Sequence, residues 1–190
     1  MGHIYDKEFV QGELPMTKQE IRAISVAKLL LENDSIVVDV GAGTGTIGIE
    51  CATYLRNGKV YAIEKEEKGI ETLKNNINKF QLENIEVIVG RAPEAIPKIA
   101  YDRMFIGGST GSMNEILEHF KRYSNKNSRI VINCITLETL SESTKYLKEM
   151  NFKDIEVVNI SVARGRNVGP YTMMYGENPI YIISANKGDE

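Results

Sequence analysis

The sequence predicts an α/β protein with a doubly wound sheet of seven strands, mostly parallel, with one antiparallel strand near the C-terminus. Short apolar runs alternate with segments of helical period, which is typical of parallel strands joined by right-handed helical crossovers. The last two runs are joined by a segment without helical period, so we expect them to pair as antiparallel neighbours. An early strand runs into closely spaced glycines, as in sheets that bind ligands at the carboxyl ends of their strands.

The elements follow one another along the whole chain. The predicted strands are short and rich in apolar residues, and they cover residues 36–40, 59–64, 85–89, 103–106, 129–135, 153–163 and 180–185. The predicted helices between them are amphipathic, and they cover residues 46–56, 66–80, 113–123 and 137–150. A short turn of helix is expected after Pro93, and residues 164–179 are expected to form a loop.

A further helix is predicted before the first strand, with Thr17 as its N-cap. Thr17 and Glu20 have the spacing of a capping box, in which each side chain accepts a hydrogen bond from a backbone N–H of the first turn. The helix would then place Ile21, Ile24 and Leu31 on one face. Capping alone would explain Thr17, although a cap at the open end of the sheet can also face a ligand.

Composition limits the class of protein. The chain has 190 residues, of which 42% are hydrophobic, and we expect a single domain over residues 1–190 with its own core. Lys and Arg number 23 against 26 Asp and Glu, a net charge of −3, which argues against a broadly basic nucleic-acid binder. The N-terminus lacks the apolar run of a signal peptide, and no stretch reaches the ~18 apolar residues of a membrane span. We therefore expect a cytoplasmic protein.

The cysteines and histidines give no sign of a metal site. Cys51 and Cys134 lie far apart, and His3 and His119 are equally isolated. Neither pair has the spacing of zinc ligands or of a disulfide framework. We expect both cysteines to be small buried hydrophobes.

The most informative stretch is the strand that ends in Asp39 and is followed by Gly41, Gly43 and Gly45. Only residues without Cβ allow the backbone to turn sharply and to approach a ligand closely. The helix that follows offers unpaired N–H groups at its N-terminus. Glu64 ends the next strand, at the distance of an acid that accepts hydrogen bonds from the hydroxyls of an adenosine ribose.

Two other interpretations of the loop stay open. The glycines could serve only a strand–turn–helix, or the loop could bind a nicotinamide dinucleotide, since residues 43–48 satisfy G-x-G-x-x-G. Asp39 favours a different ligand. A carboxylate near the loop suits a positively charged amino-acid or sulfonium group, whereas it would repel a pyrophosphate.

With Asp39, the three glycines and Glu64, the sequence resembles the class I S-adenosylmethionine-dependent methyltransferases, whose Rossmann-like sheet has its last strand antiparallel. A narrower resemblance is to the decarboxylating precorrin-6B or cobalt-precorrin-6B C-15 methyltransferases of cobalamin biosynthesis. The segments that carry it occur in order along the chain, at residues 9–12, 15–18, 39–45, 90–94, 105–109 and 178–180.

The resemblance implies transfer of a methyl group from S-adenosylmethionine to carbon 15 of cobalt-precorrin-6B, with decarboxylation of the ring C acetate. It also implies a homotetramer. The implied cofactor contacts are Thr17, Gly41, Ala42, Gly43, Thr44, Gly45, Glu64 and Ala92. Gly107, Gly108 and Ser109 follow the fourth strand, where class I enzymes build the acceptor site. We name no general base, because an electron-rich macrocycle carbon needs none.

A polycarboxylate tetrapyrrole requires a local basic wall on a net-acidic protein. Arg164 and Arg166 in the loop 164–179 are the first candidates, and Arg91 and Arg103 are weaker candidates. Aromatic and sulfur side chains in the same loop are candidates to stack on the macrocycle: Tyr171, Met173, Met174 and Tyr175. The same loop could instead be a solvated segment or a subunit contact.

Two other functions stay open at this point. A class I methyltransferase acting on RNA or protein is the first, although the Gly-Gly-Ser-Thr after the fourth strand is unlike an Asn-Pro-Pro-Tyr amino-methylation motif. A non-catalytic cofactor-binding subunit is the second. The precorrin interpretation predicts no nucleic-acid partner and no membrane partner.

Overall fold

The computed structural model describes residues 3–108 and 111–188, and it contains the predicted sheet. Seven strands are hydrogen-bonded in the order β3-β2-β1-β4-β5-β9-β6. Their burial is greatest in the central strands, and they cover β1 Ile36–Val40, β2 Lys59–Glu64, β3 Ile85–Val89, β4 Tyr101–Ile106, β5 Ser124–Cys134, β6 Lys153–Ile160 and β9 Ile180–Asn186. β9 is antiparallel to both of its neighbours, β5 and β6, whereas the other pairs are parallel. The predicted fold class is confirmed.

The order of the strands reverses at β1. The chain moves from β1 outwards to β2 and β3, and then returns to the other side of β1 with β4. At such a switch point the loops after the two central strands leave the sheet in opposite directions, which opens a crevice at their carboxyl ends. Asp39 lies in β1 and Glu64 ends β2, so both predicted acids come to the edge of this crevice.

Helices cover both faces of the sheet. They are α1 Gln19–Leu29, α2 Thr46–Tyr54, α3 Glu67–Phe80, α4 Met113–Tyr123 and α5 Leu137–Glu149. Val37 packs with apolar residues of α1 and α2, whereas Val38 and Val40 pack with α4 and α5. This alternation follows from the period of two in a strand, and it divides the core into one layer on each face.

The structure corrects the start of α1. The helix begins at Gln19 with Lys18 as N-cap, and no side chain of the described residues caps it. The capping box predicted at Thr17 and Glu20 is therefore wrong. Both oxygens of Glu20 instead accept hydrogen bonds from Arg164, at 3.0 and 2.6 Å. A bidentate ion pair with a distant guanidinium replaces the local bond because charged partners form the stronger hydrogen bonds.

The segment predicted as a loop contains a β-hairpin. β7 Ala163–Val168 pairs antiparallel with β8 Tyr171–Gly176, and the turn contains Gly169 at a φ of +58°. The predicted strand 153–163 accordingly ends early, at Ile160. Tyr, Thr and Val suit strands, and the Gly-Pro pair between them marks the turn. The turn of helix predicted after Pro93 is also wrong, since these residues form hydrogen-bonded turns.

Both cysteines are free and buried. Burial raises the pKa of the Cys134 thiol to about 11, and it raises the pKa of the Cys51 thiol as well. Both side chains belong to the apolar clusters of the core, so the expectation of small buried hydrophobes is confirmed. No helix in the described ranges combines the length and hydropathy needed to span a bilayer.

Candidate functional site

A cavity of about 790 Å³ lies at the carboxyl ends of the central strands. The loops after β1, β2, β3 and β4 line it, together with residues 14–18, which precede α1. Most of the predicted cofactor residues meet here. Those that line the cavity are Thr17, Gly41, Ala42, Gly43, Thr44, Glu64 and Ala92. Gly45 lies just behind them as the N-cap of α2.

The glycine loop takes a course that side chains would block. Gly41, Gly43 and Gly45 have φ angles of +70°, +55° and +83°, a region that residues with Cβ rarely adopt. A Cβ added to Gly41 would lie 2.9 Å from the carbonyl oxygen of Gly108, and one added to Gly45 would lie 2.1 Å from Cδ1 of Leu73. The loop is therefore packed tightly between the loop after β4 and helix α3.

Three backbone N–H groups hold the carboxylate of Glu64. Gly43 donates to Oε2 at 2.7 Å, and Lys65 and Glu66 donate to Oε1 at 2.7 and 2.8 Å. Charge-assisted bonds of this kind are the strong ones. The carboxylate is thus fixed against the glycine loop at the cavity wall, with lone pairs left to accept further donors.

Asp39 is fully buried at the base of the cavity. Its Oδ2 accepts a hydrogen bond from the N–H of Gly48 at 3.0 Å, whereas its Oδ1 has no partner among the described residues. Burial raises the pKa of Asp39 to about 7, with a smaller increase from the charge of Glu64 and a partial offset from the Gly48 N–H. A buried oxygen without a donor is costly, so the site is suited to a positively charged ligand group.

The predicted acceptor residues are divided between two places. Gly107 and Gly108 line the cavity, and Ser109 lies outside the described residues. Arg164 and Arg166 are not among the described residues that line it. The guanidinium of Arg164 bridges Glu20 and Glu177, and that of Arg166 lies 5.0 Å from the centroid of the Tyr175 ring. Their role in substrate binding stays a prediction.

The two weaker candidates for substrate binding, Arg91 and Arg103, also lie in different places. Arg91 lines the cavity. Arg103 is buried elsewhere and donates to the carbonyl of Leu30 at 3.1 and 2.9 Å and to Asp102 at 3.0 Å. The prediction that Arg103 belongs to a basic wall of this cavity is therefore wrong, because its side chain points to the loop that follows α1.

The polar residues that line the cavity and were missed as site residues include Lys18, Asn133 and Glu177. Asn133 lies near the end of β5, whose carboxyl end opens on the same edge of the sheet as β1 and β4. That position was a usable signal in the sequence. Glu177 carried no such signal, because the hairpin that positions it was not predicted.

The residues present fit a nucleoside that carries a cationic group. A fixed carboxylate at Glu64 suits paired hydroxyls, the Asp39 oxygen lacks a donor, and the glycine loop leaves room for close approach. Within residues 3–108 and 111–188, no group of His, Cys, Asp and Glu side chains is arranged to hold a metal ion. The arrangement favours S-adenosylmethionine over a pyrophosphate-bearing dinucleotide.

Comparison with known proteins identifies the family of the chain. A relative from Saccharolobus solfataricus, a probable cobalt-precorrin-6B C(15)-methyltransferase (decarboxylating), is 40% identical over 179 residues, which are 92% of this chain and 90% of the relative. A solved precorrin 8W decarboxylase from Methanobacterium thermoautotrophicum superposes with a TM-score of 0.90 at 33% identity, covering 96% of this chain and 98% of that one.

A second solved structure, a precorrin-6y C5,15-methyltransferase from Geobacter metallireducens, has a TM-score of 0.89 and 34% identity, with 97% of each chain covered. The family model for the precorrin methyltransferase domain matches residues 8–187. The match thus includes the glycine loop, both acids and the hairpin, and it confirms the resemblance found in the sequence. The chain belongs to the precorrin methyltransferase domain family.

Proposed function

We propose that the chain is a decarboxylating methyltransferase that moves a methyl group from S-adenosylmethionine to carbon 15 of cobalt-precorrin-6B in cobalamin biosynthesis. The observation that supports the cofactor is a cavity lined by the glycine loop, by Glu64, whose carboxylate the loop holds, and by Asp39, which has an oxygen without a partner among the described residues. The acceptor is supported by the relative of that name, which is 40% identical over 92% of this chain.

When bound, the cofactor supplies a methyl group that its sulfonium already activates. The chain has to orient the nucleoside and to exclude water, and orientation supplies most of the acceleration in such reactions. Glu64 would accept the ribose hydroxyls, and Asp39 would face the cationic methionyl part. The floor beneath them is formed by β1 and β2, whose residues are mostly buried.

The outer part of the cavity suits a large, flat macrocycle. Ile135, Val162 and Ile180 line it with apolar surface. An acetate held against such surface loses its hydration, which favours loss of carbon dioxide as the bonding electrons delocalise into the conjugated ring. The chain therefore assists decarboxylation by desolvation in this proposal, and no side chain is assigned as a general base.

Lys18 and Arg91 are the cations that we assign to the substrate carboxylates. Both line the cavity, Lys18 from the α1 side and Arg91 from the loop after β3 that approaches α4. Cations on both sides of the opening would hold carboxylates at opposite edges of one tetrapyrrole.

The hairpin supports a homo-oligomer, for which we propose the tetramer. Val168, Tyr171, Met173 and Met174 expose between 44% and 73% of their surface on its two strands. A group of exposed large apolar side chains on one projecting hairpin is typical of an interface. We also propose a cytoplasmic location, and a tetrapyrrole rather than a nucleic acid as the acceptor.

The direct test is an assay with labelled S-adenosylmethionine and cobalt-precorrin-6B. We expect transfer of label to the macrocycle together with release of one carbon dioxide. Transfer to RNA or protein in place of the macrocycle would support the first alternative function. Cofactor binding without any transfer would support a non-catalytic subunit.

Replacement of Glu64 tests the cofactor site. We expect Glu64→Ala to weaken S-adenosylmethionine binding by about 1–3 kcal/mol, because charged hydrogen bonds to the ribose are lost. Titration calorimetry measures the change. The control is Glu86→Ala, which removes an exposed acid paired with Lys59 on the neighbouring strand. Equal affinity of Glu64→Ala and the wild type would contradict the assigned role.

Asp39 predicts a pH dependence of binding. Since its pKa is about 7, the ionised fraction rises as the pH is raised from 6 to 8, and a cationic ligand group binds the ionised form. We expect the affinity for S-adenosylhomocysteine, which keeps the amino group, to rise by up to about tenfold over this range. Asp39→Asn keeps an acceptor for the Gly48 N–H and should flatten the profile. A steep profile in this variant would assign the titration to another group.

Matched variants distinguish the two candidate basic surfaces, one in the cavity and one on the hairpin. Lys18→Gln and Arg91→Gln should each raise the KM for the tetrapyrrole by about tenfold, the scale of one charged hydrogen bond. Arg166→Gln should leave the KM unchanged, because its side chain lies on the hairpin outside the cavity lining. Steady-state kinetics measures the KM. An increase for Arg166→Gln alone would show that the hairpin, and not the cavity lining, binds the substrate carboxylates.

A charge on the hairpin should weaken the assembly. We expect Met174→Glu, at a side chain with 66% exposure, to reduce the mass measured by light scattering below that of a tetramer, because a carboxylate cannot be buried unpaired. Val89→Glu, at 64% exposure on β3, is the control and should not change the mass. Met174→Glu protein that remains tetrameric would place the interface elsewhere.

A further inference from the structure

We infer that Arg22 is a positioning residue for the cofactor site, because its buried guanidinium fastens residues 4–18 as a strap along the cavity. The inference rests on the proposed cofactor. Arg22 is not itself among the described residues that line the cavity. It acts through the strap, which supplies Leu14, Pro15, Met16, Thr17 and Lys18 to the lining.

The strap has little regular structure of its own. A single 3-10 turn, Asp6–Glu8, is the one helical element that the structure gives it. The strap nevertheless lies against the glycine loop and packs closely on α3. A Cβ added to Gly43 would lie 3.9 Å from the carbonyl oxygen of Pro15, and one added to Gly69 would lie 2.6 Å from Cδ1 of Leu14. Tertiary bonds must therefore hold it in place.

Arg22 supplies three of those bonds from one point. Its Nη1 donates to Oδ1 of Asp6 at 3.0 Å and to the carbonyl of Thr17 at 2.7 Å, and its Nη2 donates to the carbonyl of Ile4. Its Nε donates to Oε2 of Glu50 at 2.6 Å. One side chain thereby joins both ends of the strap to helix α2.

The geometry requires a guanidinium. Arg22 is fully buried, and its planar group lies 4.7 Å from the centroid of the Phe9 ring while it donates in several directions. A lysine offers a point charge without the planar fork. The middle of the strap is held separately, by Asn76, which accepts from the N–H of Val10 at 2.7 Å. Loss of Arg22 would free the ends of the strap, including Thr17, and leave the middle attached.

The buried pair dictates the design of the test. Removal of Arg22 alone would leave Glu50 as an unpaired buried carboxylate, which is strongly destabilising, whereas removal of both charges is often tolerated. We therefore choose Arg22→Met combined with Glu50→Gln. The matched control is Arg103→Met. Arg103 is also buried and also donates to a backbone carbonyl, but its partners, Leu30, Asp102 and Glu32, lie outside the strap.

The measurements are the Kd of S-adenosylhomocysteine and backbone hydrogen exchange of the protein without ligand. The double variant should raise the Kd by at least about tenfold, through faster dissociation, and it should speed exchange in residues 4–18. Arg22→Lys should fall between the double variant and the wild type. Arg103→Met should leave both the Kd and the exchange of the strap within about twofold of the wild type.

A folded double variant with unchanged Kd and unchanged exchange would overturn the inference. Equal weakening by Arg103→Met would also overturn it, because the effect would then be a general loss of stability. If the double variant does not fold, Asp6→Ala removes one partly exposed bond of the strap, and unchanged exchange would be decisive against Arg22. Failure of the wild type to bind the ligand would refute the proposed cofactor. The hydrogen-exchange measurement on residues 4–18 would still decide whether Arg22 fastens the strap.

Discussion

The candidate site depends on one interaction, the hydrogen bond from the N–H of Gly43 to the carboxylate of Glu64. It joins the loop after β1 to the end of β2, and the N–H groups of Lys65 and Glu66 hold the same carboxylate from the other side. The positive φ angles of the glycines allow the Gly43 N–H to reach the carboxylate. The N–H groups of Gly41 and Ala42 also join the two loops, through the carbonyl of Ile63 at 3.0 Å, but the Gly43 bond is the one that orients the carboxylate towards the glycine loop.

The charges of the cavity follow a gradient from floor to opening. Asp39 and Glu64 lie at the inner end, one with an unpaired oxygen and one fully oriented, and both suit donors and cations. Lys18 and Arg91 lie further out on the lining. A net-acidic chain can thus bind a cationic donor and a polycarboxylate acceptor in one cavity, because each charge is met locally and not by the field of the whole protein.

Local patterns in the sequence predicted most of the fold and the cofactor half of the site. Alternating strands and helices, and an acid before and after the glycines, are all short-range signals. The errors arose where distant residues compete with local bonds. Glu20 pairs with Arg164, 144 positions away, in place of the helix N-terminus. Arg22 and Glu50 were not recognised, since burial of an ion pair between two helices leaves no periodic pattern in either of them.

The position of β9 has a consequence for synthesis of the protein. This strand follows β6 and the hairpin in the sequence, yet it inserts between β5 and β6 and pairs with both. Until residues 180–186 have left the ribosome, β5 and β6 each present an unpaired edge that carries apolar side chains. Exposed edges of this kind template aggregation. The nascent chain thus passes through a stage that is vulnerable to aggregation until β9 fills the place between β5 and β6.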